Sequence, residues 1–263
     1  MEQAILHTSN LVDLHKVPTV LPRREDVDRL VDDAQNLLRS AGKDISSGIS
    51  HCIRTPLTTL LGIQEIVKQG MPLSEPQRES FLRIVLFESA RLRRFVEMLT
   101  WYDEMEKGSF QLHPFTSDVR ETVLRAIRGF DPEVLATSVR IVVEPMPVRI
   151  LLAADHDRLK HVIEQLVLNG LHVSPLGGEV RISVDTDEST FSLRFTNTGP
   201  VLSDEQCSLI FKPFKRVPHT HDPGSELGLG LSVVRSIVNA HGGSIACHPV
   251  APTGMTFSVT LPR

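Results

Sequence analysis

The chain has 263 residues, 41% of them hydrophobic and 23% charged, with a formal net charge of −4. That length suits one large or two modest domains with real cores, and the slightly acidic balance argues against non-specific nucleic-acid binding. No stretch approaches the roughly 18 consecutive apolar residues of a membrane helix. The N-terminus, with Glu2, His7 and Asp13, lacks a signal-peptide pattern. The expectation is a cytoplasmic protein without membrane insertion.

Residues 1 to about 23 show no sustained period and are expected to form a poorly ordered tail. From Arg24 the pattern turns helical, with Val27, Leu30, Val31, Ala34, Leu37 and Leu38 on one face. A second helical pattern places Ile45, Ile49, Cys52, Pro56, Leu60, Ile63 and Val67 along one seam, to about Gln69. His51 lies about 200° from Ile49 at roughly 100° per residue, so it points away from that seam. Pro56, five residues later, removes a backbone donor and is expected to kink or loosen the helix.

Residues 70–76 read as a turn, and a further helix reaches about Glu106 on a seam of Phe81, Val85, Glu88, Leu92, Phe95 and Leu99. Arg91, Arg93 and Arg94 fall largely on its outer face. Two helices with one apolar stripe each cannot bury both stripes alone. Pairing two such hairpins into a four-helix bundle solves that problem and predicts a homodimer. Residues 24–107 thus read as a helical dimerisation domain and 108–263 as a second domain, after Gly108 and Pro114.

The second domain alternates. Helices are predicted at 117–130, 155–173, 204–211 and 231–240, and strands at 140–144, 148–153, 180–184, 191–195, 244–247 and 255–261. Helices segregated against a mixed or mostly antiparallel sheet give an α+β sandwich. Cys52, Cys207 and Cys247 form no C-x-x-C pair and read as free thiols.

Four places carry chemistry. Asn169 offers an amide oxygen that suits Mg²⁺, which keeps waters and bridges phosphates, and Gln165, one turn earlier on the same face, can assist through water. Asn197-Thr198-Gly199 ends a strand where a polar side chain could meet a purine edge, although the tripeptide equally encodes a plain turn. Gly228-Leu229-Gly230-Leu231 opens a helix, where backbone N–H groups can crowd a phosphate. The polar loop before it, with Lys212, Lys215 and Arg216, has the composition of a mobile lid.

In this order the sites resemble those of bacterial two-component sensor histidine kinases, the class whose phospho-acceptor helix precedes a Bergerat-type ATPase domain. Residues 50–57 look like the H box, 157–175 the N box, Asn197-Thr198-Gly199 the G1 box, 211–216 the F box and 228–243 the G2 box. The resemblance covers about residues 45–263. It implies a helical hairpin followed by an α/β-sandwich ATPase domain, with ATP and Mg as cofactors. It also implies a response-regulator receiver domain as phosphoryl acceptor.

Carried over, His51 is the nucleophile and Thr55 helps place water for phospho-aspartate hydrolysis. Asn169 would hold Mg²⁺, with Gln165 assisting through water. Asn197 and Gly199 would meet adenine, while Gly228, Leu229, Gly230 and Leu231 would line the phosphates. Lys215 or Arg216 would steady the transferring charge. His172 stands where the family has a phosphate-facing lysine. Cys52 replaces the usual acid after the histidine, Asn197 the usual G1 aspartate, and Val201 a common second glycine. Losing one general base costs about 10²–10⁴ in rate, so slow autophosphorylation is expected.

Nothing before Ile45 has the size of a sensor domain, which implies a separate input protein. Two other readings stay open. One is a weakly catalytic or non-catalytic relative, acting as phosphotransfer module or scaffold. The other is a serine kinase or chaperone-type ATPase on the same fold, against which the H box argues.

Overall fold

The computed structural model describes residues 46–128, 130, 138–146, 149–215, 217, 228–250 and 252–263, with the backbone alone at 46–51. The expected tail, the helical face from Val27 to Leu38, the seam residue Ile45, Val148 and Arg216 lie outside the described residues.

Helix α1 (Ser46–Lys68) runs through Pro56 without ending. Cys52, Ile53, Pro56 and Leu57 are buried and Val67 is exposed. The buried stripe is therefore wider than the predicted seam near His51, taking in Ile53 and Leu57, and it fades toward the turn. Helix α2 (Glu75–Glu106) starts at Ser74, whose backbone N–H donates to Gln77 Oε1 at 2.8 Å. Pro76 occupies its first turn, where no N–H is needed. Its buried residues are Glu88, Phe95, Met98, Leu99 and Tyr102. Arg91, expected on the outer face, is instead largely covered and lies 3.6 Å from the buried Glu88 carboxylate. A buried carboxylate needs a counter-charge, and the nearest turn supplies it.

The second domain begins with β1 (Phe115–Asp118), a short strand where the helical reading began too early, and α3 (Val119–Ile127). Asp118 caps α3 by accepting from Arg120 N, and it also accepts from Ile150 N. Then come β2 (Arg140–Val143), β3 (Leu151–Ala154), α4 (His156–Val173), β4 (Glu179–Thr186), β5 (Thr190–Asn197) and α5 (Asp204–Leu209). Helix α6 (Gly230–Ala240), β6 (Ser244–Pro249) and β7 (Met255–Pro262) close the chain. The main sheet has five strands in the order β2-β4-β5-β7-β6, and β1 pairs with β3 in a separate antiparallel ribbon. β2 runs parallel to β4 and the other pairs are antiparallel.

Helices α4 and α6 cover the sheet with Leu159, Val162, Ile163, Leu166, Val167, Val233, Val234 and Ile237, all essentially inaccessible. Asp155 caps α4 by accepting from Arg158 N at 3.0 Å, and its other oxygen accepts from His113 N at 2.9 Å. Burial pushes the Asp155 carboxyl up, but these two N–H groups and the Arg158 charge outweigh it and hold it below its ordinary value. Its own N–H donates to His241 Nε2, while His241 Nδ1 faces the Ile237 carbonyl. One neutral tautomer, protonated at Nδ1, satisfies both contacts and ties the start of α4 to the end of α6.

The end of α2 packs against the second domain through aromatic contacts. Trp101 meets His161 edge-on at 4.1 Å, and the Arg158 guanidinium sits 4.4 Å from the Trp101 ring centre. Tyr102 meets Phe214 edge-on at 5.4 Å. Burial, followed by the charges of Lys160, Arg158, Arg94 and Arg93, pushes the His161 imidazole down to about 3. The imidazole is thus neutral when packed and titrates normally when the joint or the chain opens. Its stabilising contribution is complete above the unfolded value near 6.5 and is lost as pH falls from there toward 3. We expect His161 to cost about 2 kcal/mol of stability between pH 7 and pH 5. Urea unfolding at both pH values, wild type against His161→Phe, checks it: the variant should lose less stability on acidification.

Candidate functional site

A cavity opens between α4, the C-terminal end of β5, α6 and the start of β7. Gln165, Asn169, Val173, Asn197, Pro200, Leu202, Ile210, Lys215, Val217, Gly228, Gly230, Leu231, Met255 and Phe257 line it. Seven of the residues singled out from sequence, namely Gln165, Asn169, Asn197, Lys215, Gly228, Gly230 and Leu231, therefore meet in one place.

Gln165 and Asn169 are four residues apart on α4, so they share one face, and both are half-buried. Asn197 is 3% exposed at the end of β5. Its Nδ2 donates to the Thr198 carbonyl at 2.9 Å, which aims the acceptor Oδ1 as the amide's remaining polar group. The following turn is fixed from α4: Ser174 Oγ donates to the Thr198 carbonyl, and Thr198 Oγ1 accepts from Glu179 N. Gly199 lies in this turn, half-buried against the Val173 carbonyl.

Gly228 has φ +64, and a Cβ there would stand 2.7 Å from the Lys215 carbonyl oxygen. Its own carbonyl accepts from Phe214 N at 3.0 Å. The absent side chain thus lets the segment before α6 lie directly on the 211–215 segment. Leu229 is wholly buried and its carbonyl accepts from Ser232 Oγ at 2.8 Å, so it anchors the start of α6 instead of facing the cavity. The first turn of α6 then presents Gly230 and Leu231 with uncapped N–H groups, the arrangement that favours an anion.

The other candidates lie apart. His172 is half-buried three residues after Asn169 and outside the lining. His51 belongs to α1, in the hairpin, and Thr55 is exposed one turn later on the same helix. Cys52 is 5% exposed and packs as a small apolar residue. A carboxylate in its place would face the hairpin core.

Sequence reasoning missed the apolar half of the cavity: Val173, Pro200, Leu202, Ile210, Val217, Met255 and Phe257. Met255 and Phe257 alternate in β7 like any inward-facing strand pair, so nothing local separates a ring-stacking wall from core. Gly254 was missed as well. At φ +128, a Cβ there would fall 2.2 Å from the Asn197 carbonyl oxygen. Its position in a turn carried only a hairpin signal.

Amide acceptors, a wall of flat and thioether side chains, and a helix N-terminus beside Lys215 suit a purine ring joined to phosphates. Asn169 fits a cation that keeps most of its waters. Among the described residues, no group of three His, Cys, Asp or Glu side chains could hold a metal by itself, so such a cation would share its ligands with the phosphates.

Residues 154–263 match the family described as "Histidine kinase-, DNA gyrase B-, and HSP90-like ATPase". Histidine protein kinase DivJ of Caulobacter vibrioides is 26% identical over 257 residues, 97% of this chain and 43% of its own length. Sensor protein SrrB of Staphylococcus aureus is 27% identical over 222 residues, 84% of this chain and 38% of its own. The chain thus spans less than half the length of these relatives. The structure of histidine kinase ThkA, solved in complex with response regulator protein TrrA, shares the fold over 92% of this chain and 68% of its own. Its TM-score is 0.55 at 20% identity. Among the described residues, no helix is long and apolar enough to cross a membrane. Residues 154–263 thus match the histidine kinase-, DNA gyrase B- and HSP90-like ATPases, and the chain as a whole is similar to two-component sensor histidine kinases.

Proposed function

We propose that this chain is a dimeric, cytoplasmic protein-histidine kinase. It takes the γ-phosphoryl group of ATP onto His51 and passes it to an aspartate on a response-regulator receiver domain. The observation that carries the reading is the single cavity gathering Gln165, Asn169, Asn197, Lys215, Gly228, Gly230 and Leu231 from four separate segments.

In this reading Asn197 Oδ1 accepts from the adenine amino group, and Met255 and Phe257 flank the ring. The N–H groups at Gly230 and Leu231 hold phosphate oxygens, with Gly228 and Gly199 admitting close backbone approach. Mg²⁺ at Asn169, with Gln165 assisting through water, would neutralise phosphate charge when bound. Lys215 or Arg216 offsets the charge that develops on the transferring group. His51 attacks in line through an imidazole nitrogen; the N–P bond forms as the bond from the γ-phosphorus to the bridging oxygen breaks, and ADP leaves. Thr55 positions water when the receiver's phospho-aspartate is hydrolysed.

The hairpin, residues 24–107, is the dimerising and phosphotransfer domain, and residues 108–263 bind nucleotide. Support for the dimer comes from α2, where Leu82, Leu86 and Val96 are 58%, 59% and 57% exposed. A second hairpin would cover such residues. The stimulus enters through another protein or domain.

The buried Cys52 favours a second reading, a slow or non-catalytic relative that uses His51 only as a phosphotransfer station. It places no carboxylate beside the imidazole to orient it or to stabilise imidazolium. Incubation with γ-labelled ATP and Mg²⁺ separates the two. The kinase acquires acid-labile, base-stable label. Protein that binds nucleotide but never acquires label is a phosphotransfer module or scaffold, and protein that binds none is not a kinase. An acid-stable, base-labile product would point to a serine kinase.

A further inference from the structure

Behind the cavity, two thiols lie together. Cys207 on α5 and Cys247 on the edge strand β6 are both free and buried, with their Sγ atoms 3.4 Å apart. No other element separates them, and a disulfide requires closure to only about 2.05 Å. We propose that Cys207 and Cys247 are an oxidative modification site: a small hydroperoxide converts them to a reversible disulfide that ties α5 to β6 and reshapes the nucleotide cavity.

The chemistry balances with one peroxide. Attack by one sulfur on hydrogen peroxide breaks the O–O bond, makes a sulfenic acid and releases water. Attack by the other sulfur on that sulfenic acid forms the S–S bond and expels a second water. Net, two thiols and one hydrogen peroxide give one disulfide and two waters. Burial to 8% and 9% exposure admits peroxide more readily than a bulky disulfide such as oxidised glutathione. Cys247 is held as a protonated thiol by burial and by its contact with Cys207, which slows the reaction.

The bridge reaches the cavity by two routes. Cys247 sits opposite Phe257 in the β6–β7 register, and Phe257 lines the cavity. Cys207 lies three residues before Ile210, also in the lining, on the helix that leads into the 211–215 segment. Drawing the two sulfurs together moves both walls. This coupling rests on the nucleotide-binding reading above, whereas formation of the bridge does not.

The experiment uses the full chain carrying Cys52→Ser, so that Cys207 and Cys247 are its only thiols. It is titrated with hydrogen peroxide, alkylated under denaturing conditions and weighed intact. The expected result is loss of both alkylatable thiols with a mass decrease of about 2 Da, within one monomer and reversed by dithiothreitol. Cys207→Ser and Cys247→Ser should each fail to form the intrachain bridge, with melting curves confirming that they fold. Retention of both thiols, direct passage to sulfinic acid, or bridging only between copies would overturn the proposal. Binding of a fluorescent ATP analogue should weaken about fivefold or more on oxidation and recover on reduction. Unchanged affinity overturns the coupling to the cavity. Absence of binding even in reduced protein sinks the nucleotide reading and leaves the bridge to stand on the mass and thiol data.

Discussion

His51→Ala is expected to reduce acid-labile phosphoryl label to background while leaving nucleotide affinity within about twofold of wild type. The residue sits on α1 in the hairpin, and the cavity is built by residues from Gln165 onward, so the two functions are separable by mutation. Removing a nucleophile eliminates the covalent step instead of slowing it, which makes this the largest effect expected in the chain. Label measured beside equilibrium nucleotide binding checks it. Label that persists in the variant places the acceptor elsewhere. The slow wild-type reaction expected from Cys52 has to be followed long enough to stand clear of that background.

Gly254→Val is expected to abolish nucleotide binding and to lower stability by about 2–4 kcal/mol, although Gly254 itself is not part of the cavity lining. At φ +128 a side chain is strained whatever the space, and the new Cβ would press on the Asn197 carbonyl at 2.2 Å. Asn197 is paired with Met255 in the β5–β7 register, so relief of the clash displaces two lining residues at once. Thermal unfolding and nucleotide titration report the two effects separately. The smaller Gly254→Ala variant meets the same backbone with its single methyl and should lose affinity while still folding. Wild-type affinity in folded Gly254→Ala would show that the turn does not position Asn197.

How much was legible beforehand differs from element to element. The periodicity of Leu159, Val162, Ile163, Leu166 and Val167 specified α4 to within a residue or two, because a helix buried on one face repeats its apolar residues at 3.6. The alternation of Val180, Ile182, Val184 and of Phe191, Leu193, Phe195 gave β4 and β5 in the same way. The helical reading from Ser117 takes in Ser117 and Asp118, the second half of the β1 strand. Its four residues are too few for a period to register, and what makes them a strand is pairing with Leu151–Ala154, some 35 positions away. Arg91 falls on the outer face by apolar periodicity, which registers only where the hydrophobic side chains repeat, whereas the buried carboxylate of Glu88, one turn earlier on the same helix, draws it in.

The sequence by itself determined the polar half of the candidate site. Asn169, Asn197, Lys215 and the Gly228–Leu231 stretch are short chemical signals that suggest a ligand type locally, and their order carries the resemblance to the histidine kinases. Tertiary structure alone decided the other half. Met255 and Phe257 become a cavity wall only because β7 lies beside β5, and Gly254 matters only because its backbone passes against that of Asn197. The same holds for Cys207 and Cys247, which lie 40 positions apart in the chain and whose sulfurs meet at 3.4 Å. The physical reason is common to all three. Apolar packing and close approach are properties of pairs distant in sequence, and no single segment carries a mark of the partner it will meet.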